Sequence, residues 1–194
     1  MKNFLLLLFF TLSVSTVYGQ APPDLPINFD DPAIDYNLVS FGANVSGVLG
    51  ADPTDASNTA LCITKDPNPD CWGGTTVGGA CLANPVPFAP GSMTIYVDVY
   101  SPDAGVPFLL KVENCANGAL SSEVIVLTTV ANAWETLAFD FSAGCPAVPD
   151  PAIAYSRLSV FPIFTCAQDL CGAPNPGVGA PTSCLLYTSP SPRD

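Results

Sequence analysis

Proline and glycine are so frequent in this sequence that long regular helices are not expected. The chain has 21 prolines and 15 glycines among 194 residues, and they separate most of its apolar stretches. Proline lacks a backbone N–H and glycine is costly inside a regular element, so both tend to end helices and strands. Between these breaks the apolar residues alternate with period two, which is typical of half-buried strands. The sequence therefore predicts an all-β protein.

Eight segments are predicted as strands: residues 25–30, 36–41, 59–65, 92–101, 108–114, 122–130, 133–142 and 155–164. Turn residues at 101–105 predict a hairpin between the fourth and fifth of these strands, and residues 130–133 link the next two just as tightly. Residues 66–91, 144–153 and 166–183 are predicted as loops. Short strands with turn residues at almost every junction favour a two-sheet antiparallel β-sandwich or jelly roll.

The N-terminus has the pattern of a secretory signal peptide over residues 1–19. Lys2 precedes an apolar run over 4–12, and a small-residue exit follows that ends at Gly19. The apolar run is too short for a membrane-spanning helix, which needs about 20 residues. We expect a secreted protein, extracellular or at the cell surface, with no membrane insertion.

The C-terminal residues 184–194 match a translated sequencing adapter read in frame, so we exclude them from the domain. A genuine Ser/Pro linker is the alternative. Residues 20–183 are then predicted to form a single module that lacks its final strand. Other domains of a longer parent chain are expected as its partners.

Charge and composition exclude several functions. The formal net charge is −12, which argues against nucleic acid or an anionic membrane as partner and suits calcium, whose ligands are oxygens. The chain has no histidine, so it lacks the commonest general base, the usual serine or cysteine triad and the commonest zinc ligand.

Cysteines in an exported chain predict disulfides rather than metal ligands or nucleophiles. Of the eight cysteines, Cys184 falls in the adapter-like segment. Proximity in sequence pairs the others as Cys71–Cys81, Cys166–Cys171 and Cys115–Cys145, with Cys62 left over.

Four motifs carry a resemblance to a known family: Phe29-Asp30-Asp31-Pro32, Val97-Asp98-Val99-Tyr100-Ser101-Pro102, Leu110-Lys111-Val112-Glu113-Asn114 and Trp134-Glu135-Thr136-Leu137-Ala138-Phe139-Asp140-Phe141. Together they resemble a carbohydrate-binding-module-like jelly roll of secreted marine Bacteroidetes-type proteins, over about residues 25–165. The resemblance implies a β-sandwich that binds a polysaccharide or oligosaccharide. Such modules typically close with an aromatic-Asp-Asp strand, which this sequence lacks before residue 184.

Alternation along two strands predicts the ligand-binding face. Residues two apart share a face of a strand, so the residues facing away from the aliphatic side of the predicted 92–101/108–114 hairpin would share one surface. These residues are Tyr96, Asp98, Tyr100, Lys111 and Glu113. Two aromatic rings beside hydrogen-bonding groups suit a pyranose, whose C–H face stacks on a ring. The alternative is that tyrosines simply suit strands and that the charges form cross-strand pairs. Arg157 and Trp72 are further candidates for ligand contact.

Calcium is predicted as a structural ion held by Asp30, Asp31 and Asp140, with Asp35 nearby. Calcium takes six to eight oxygens, which a few carboxylates and backbone carbonyls would supply. The alternative is that the Asp-Pro pairs only start turns. The family resemblance adds weight to Asp30.

Catalysis is not expected. Glycoside hydrolysis needs two carboxylates about 5–9.5 Å apart, and the only glutamates are Glu113, Glu123 and Glu135. Glu135 and Asp140 would fall on opposite faces of one strand. The leading hypothesis is a noncatalytic polysaccharide-binding module. The second is a structural or adhesive spacer without a glycan ligand, and the third is part of a polysaccharide-degrading enzyme.

Overall fold

A computed structural model describes residues 20–168 and 171–172, together with the backbone of residues 185–188. The strands are β1 (Val39–Phe41), β2 (Val45–Ala51), β3 (Thr59–Lys65), β4 (Gly74–Val77), β5 (Thr94–Ser101), β6 (Pro107–Asn114), β7 (Ser121–Leu127), β8 (Ala133–Asp140), β9 (Tyr155–Pro162) and β10 (Leu185–Thr188). A single 3-10 turn, Phe141–Ala143, is the only helical element in the described part of the chain.

The strands form two five-stranded sheets, each antiparallel throughout. The first sheet has the order β1-β4-β9-β6-β7 and the second the order β2-β3-β10-β5-β8. The predicted fold class, an all-β two-sheet antiparallel sandwich, is confirmed.

The core lies between the sheets and follows the alternation seen in the sequence. Val97 and Val99 of β5 are 2% and 0% exposed. Tyr96, which precedes Val97 on the same strand, lies on the outer face. Phe108 of the first sheet contacts Phe139 of the second, with ring centroids 6.0 Å apart. Both rings are fully buried. The inward residues of β5, β6 and β8 thus join the two sheets.

Most of the predicted strands correspond to observed strands, but residues 25–30 are not a strand, and β2 and β4 were not predicted. Residues 25–30 form no strand and lie in bends and irregular backbone before β1. The predicted loop 66–91 contains β4, all four residues of which are buried. Gly74 begins β4 where an added Cβ would collide with the carbonyl oxygen of Val160. Because Gly-Thr-Thr-Val has no alternating apolar residues, the sequence does not indicate this interior strand.

Both predicted hairpins are wrong, because each pair of strands is divided between the two sheets. β5 pairs with β8 and β10, while β6 pairs with β7 and β9. The two crossing turns hydrogen-bond to each other: the N–H of Gly105 donates to the carbonyl of Thr128 at 2.7 Å, and the N–H of Thr128 donates to Val106 at 3.0 Å. Turn residues specify a reversal of direction, but they do not specify whether the chain returns in the same sheet.

The three predicted disulfides are also wrong. The structure pairs Cys71 with Cys166, Cys81 with Cys115, and Cys145 with Cys171, at sequence separations of 95, 34 and 26 residues. Pairing by proximity failed because the fold brings distant loops together at the sheet ends. Cys62, which the prediction left over, is disulfide-bonded as well.

The structure describes part of the C-terminal segment but not the predicted signal peptide. The predicted signal peptide, residues 1–19, lies outside the described residues. The backbone of Leu185–Thr188 occupies the position between β3 and β5 as β10, so part of the adapter-like segment lies within the second sheet. The origin of residues 184–194 stays a prediction. Among the described residues, no helix has the length and apolar character that crossing a membrane would require.

Lys65 is an unusual lysine because it is buried between the sheets. It is 3% exposed, and its Nζ donates a hydrogen bond of 3.1 Å to the carbonyl of Ile163. Burial lowers its pKa to about 8, against a smaller opposing effect of Asp70. The folded state therefore carries a desolvated charge at neutral pH.

We predict that replacing Lys65 with methionine changes how stability depends on pH. Between pH 8 and 10.5 the unfolded chain binds a proton at Lys65 that the folded chain does not, so the free energy of unfolding of the parent should rise across this range. The rise is at most about 3 kcal/mol. Lys65→Met should lack it. Urea denaturation of both proteins from pH 7 to 10.5 measures the difference, and parallel curves would contradict the prediction.

Candidate functional site

An aromatic and polar surface lies on the outer face of the second sheet, across β5 and β8. We call it the tyrosine face and define it by Tyr96, Asp98, Tyr100, Trp134 and Thr136. Tyr96 is 54% exposed and lies opposite Ala138, which leaves its ring open to solvent. Thr136 Oγ1 donates to Asp98 Oδ1 at 2.5 Å, and the rings of Tyr100 and Trp134 meet edge to face at 5.8 Å. The face thus combines an open ring, a fixed carboxylate and an aromatic pair.

The tyrosine face is concave. Trp134 Nε1 donates to Asp52 Oδ1 and to Thr54 Oγ1, both at 3.1 Å. Trp134 lies on the edge strand β8, whereas Asp52 follows β2 at the opposite edge of the same sheet. Four strand spacings in a flat sheet measure about 19 Å, which is too far for these side chains to meet. The sheet and the loop after β2 therefore curl over this face.

Asp52 holds that loop in a fixed conformation. It accepts hydrogen bonds from the backbone N–H and hydroxyl of Thr54, each at 2.7 Å, and from Asn58 Nδ2 at 3.0 Å. Burial opposes ionisation of Asp52, but the hydrogen bonds from Asn58, Thr54 and Trp134 outweigh it and lower its pKa to about 2. One wall of the tyrosine face is therefore a negatively charged loop held by hydrogen bonds to Asp52. No sequence pattern indicated this role for Asp52 or for Trp134.

The other predicted ligand contacts lie on the opposite side of the sandwich. Lys111, Glu113 and Arg157 are on β6 and β9 of the first sheet, facing away from the core. Lys111 Nζ pairs with Glu113 Oε1 at 3.0 Å, and Arg157 Nη2 donates to the carbonyl of Gly79 at 3.4 Å. The structure thus brings Tyr96, Asp98 and Tyr100 together but separates them from the charged residues. The single surface predicted from the hairpin is wrong, because its two strands belong to different sheets.

The outer face of the first sheet offers little open surface. Leu109, Ser159 and Glu123 are 1%, 2% and 6% exposed, although each alternates with core residues of its strand. Cys145 pairs in register with Glu123, and its disulfide to Cys171 brings the chain that follows β9 to this face.

Trp72 is a separate exposed aromatic residue at the β1 edge of the first sheet. It is 49% exposed, and its ring is nearly parallel to that of Phe41, with centroids 6.2 Å apart and an angle of 6°. It lies beside the first sheet, whereas Tyr96 lies on the second, and the two side chains are similarly exposed. Trp72 is therefore both an alternative contact and a matched control.

The three predicted calcium ligands are not brought together. Asp30 Oδ1 accepts from the N–H of Thr59 at 3.0 Å, Asp31 Oδ1 accepts from Ala33 at 2.8 Å, and Asp140 Oδ1 accepts from Ser142 at 2.9 Å. Among the described residues, no group of three or more His, Cys, Asp or Glu side chains could hold a metal ion. A shared carboxylate set therefore does not fit, and the role of each carboxylate in the described contacts is to hold backbone.

The glutamates are occupied in contacts within the protein. Glu135 accepts from the backbone N–H of Thr129 at 2.8 Å and from its hydroxyl at 2.6 Å, which fixes the turn before β8. Glu113 is paired with Lys111, and Glu123 is buried. These contacts favour structural roles for the three glutamates.

No protein-family model matches this sequence, and no curated protein matches it. Solved structures do resemble it. An exo-β-agarase superposes with a TM-score of 0.54 at 8% identity, over 86% of this chain and 25% of the agarase chain. A family 11 carbohydrate-binding module from Clostridium thermocellum, in complex with a β-1,3-1,4-mixed-linked tetrasaccharide, superposes with a TM-score of 0.50 at 14% identity, over 84% of this chain and 92% of that module.

These similarities show a shared β-sandwich fold. The chain spans about a quarter of the agarase chain but nearly the whole of the carbohydrate-binding module. In size and architecture it is thus comparable to a single module.

We predict that Trp134→Phe loosens the wall of the tyrosine face. Phenylalanine keeps a ring over Tyr100 but removes the N–H that reaches Asp52 and Thr54. The free energy of unfolding should fall by about 1–2 kcal/mol. Urea denaturation measures it, with Trp72→Phe, at an exposed position in the turn before β4, as the control. An equal loss in both variants would contradict the prediction.

Proposed function

We propose that this protein is a noncatalytic polysaccharide-binding module and that the tyrosine face binds the sugar chain. The observation that carries the proposal is the open ring of Tyr96, 54% exposed on a concave face that also presents Asp98 and Thr136. A pyranose stacks its C–H face on an aromatic ring and directs its hydroxyls to neighbouring polar groups. The tyrosine face offers both kinds of contact.

The spacing of the tyrosines favours a chain of sugars over a monosaccharide. Tyr96 and Tyr100 are four residues apart on β5, which corresponds to about 13 Å along an extended strand. That distance exceeds one sugar ring and suits adjacent subsites. We therefore expect an oligosaccharide or polysaccharide ligand held in a shallow groove, with weak affinity.

Two findings support an exported, sugar-binding role. The solved module that this chain matches along most of its length is in complex with a tetrasaccharide. The three described disulfides suit an extracellular protein. On this proposal the module is secreted by its signal peptide from a Bacteroidetes-type bacterium. It would bind glycans for further domains of a longer parent chain.

A structural spacer is the second candidate. Trp134 is in contact with the loop after β2, and Tyr100 packs against Trp134, so part of the aromatic surface is used within the protein. If the remaining open surface is too small for a sugar chain, the sandwich would only separate neighbouring domains. An enzymatic part remains the third candidate, and the occupied glutamates weigh against it.

Tyr96→Ala should abolish or strongly reduce glycan binding while leaving the fold intact. The change removes an exposed ring on the outer face and leaves Val97 and Val99 in the core. Loss of one stacking contact is expected to weaken binding about tenfold or more. Retarded migration in native gels that contain soluble marine or plant polysaccharides measures binding, and the melting temperature reports on the fold.

Trp72→Ala is the matched control, since Trp72 is 49% exposed but lies in the turn before β4, beside Phe41 of the first sheet. It should leave retardation unchanged. If Trp72→Ala abolishes retardation and Tyr96→Ala does not, the site lies at Trp72. If the parent binds none of the polysaccharides, the spacer candidate replaces the proposal.

Calcium stays a proposal that rests on Asp30 together with backbone carbonyl oxygens. An ion that binds only the folded state raises its stability by mass action. The melting temperature of the parent should therefore fall when a chelator removes calcium. The variant Asp30→Asn, which keeps an oxygen for the N–H of Thr59, should show a smaller fall on addition of chelator. An unchanged melting temperature of the parent would exclude the structural ion.

A further inference from the structure

Carboxylates surround the tyrosine face. Asp98 lies in its centre, and Asp140 lies on the same side of β8, opposite Thr94 and one outward position beyond Ala138. The loop that curls over the face carries Asp52 and Asp55. A sugar chain along β5 would therefore pass close to several negative charges.

The positive charges of the described residues lie elsewhere. Lys65 is buried between the sheets, where it donates to the carbonyl of Ile163. Lys111 and Arg157 are on the outer side of the first sheet, where each already has a partner. Lys2 and Arg193 are the remaining basic residues, and both lie outside the described residues. Among the described residues, the tyrosine face thus has no cation to bind an anionic group.

Two carboxylates around the face are stabilised in their charged form. Hydrogen bonds from Ser57 lower the pKa of Asp55. The pKa of Asp52 is lowered to about 2, because its hydrogen bonds outweigh the effect of burial. Asp52 and Asp55 therefore keep their negative charge over the whole neutral and mildly acidic range.

We infer that the tyrosine face selects neutral polysaccharides and rejects those that carry carboxylate or sulfate groups. The inference rests on the proposed function and names its ligand class. Proteins bind carboxylate, sulfate and phosphate groups mainly through arginine, lysine and oriented N–H donors. An anionic sugar on this face would instead lose water next to Asp98 and Asp140 without gaining a positive partner, which is unfavourable. The hydroxyls of a neutral sugar can donate to the same carboxylates.

The first experiment compares neutral and anionic polysaccharides in native gels at low salt, with the parent and Tyr96→Ala. Retardation by neutral polymers only, lost in Tyr96→Ala, is expected. Equally strong retardation by a uronate-containing or sulfated polymer, also lost in Tyr96→Ala, would overturn the inference but leave the proposed function intact. Absence of retardation by every polymer would overturn both.

The second experiment keeps the backbone of the ligand constant. The neutral polysaccharide that binds best is oxidised in steps at its primary hydroxyls, so that each C6 alcohol becomes a carboxylate. Retardation should fall as the degree of oxidation rises, and added salt should narrow the difference, because salt screens charge repulsion. A fall that does not change with salt would show that the lost hydroxyl matters and the charge does not, which would overturn the inference.

The third experiment removes one charge from the protein. Asp140→Asn and Asp150→Asn are matched, since each aspartate accepts a backbone N–H two residues later at 2.9 Å, from Ser142 and Ala152 respectively. Asp140→Asn should improve binding of the oxidised polymer relative to the neutral one by about threefold at low salt, as expected for one charge about 7 Å away in water. Asp150→Asn, in the loop before β9, should leave this ratio unchanged. The same ratio in both variants and the parent would contradict the role of the charge.

Discussion

The contact between Phe108 and Phe139 is the interaction on which the rest of the structure depends. It joins the first sheet to the second, and both side chains are fully buried. Two sheets that each bury one face must pack their inward residues against each other, and the outward residues are then left for solvent, loops or ligands. The position of Tyr96 on an open face is a consequence of this arrangement, since its neighbours on β5 face the same core. The packing that stabilises the protein thus also presents its candidate site.

Much of this could be predicted from the sequence because it depends on local alternation. The period-two pattern assigned Val97 and Val99 to the core and Tyr96, Asp98 and Tyr100 to the outer face, and the structure has this division. The frequent prolines and glycines indicated short strands, and the sandwich follows from them. To predict the face on which a residue lies, it is enough to know its strand and the residues two positions away.

What could not be predicted depends on which strands become neighbours. The turn between β5 and β6 reverses the chain but carries it into the other sheet, so Lys111 and Glu113 lie far from the tyrosines with which they were grouped. The same long-range assembly brings Trp134 to Asp52, 82 residues apart, and creates a concave wall that no local pattern indicates. Disulfide pairing failed for this reason too. The fold determines which cysteines come close enough to bond, and the distance between cysteines in the sequence is a poor guide to their pairing.

The arrangement of the disulfides has a consequence for resistance to proteolysis. The bond between Cys71 and Cys166 spans 95 residues and encloses the bond between Cys81 and Cys115, while the bond from Cys145 to Cys171 overlaps its end. A protease that cuts any single loop between Cys71 and Cys166 therefore leaves two pieces that are still covalently joined. The buried sheets would hold the pieces in place, and the nicked protein would persist as one particle. Cleavage of one such loop would therefore not release the face that carries Tyr96.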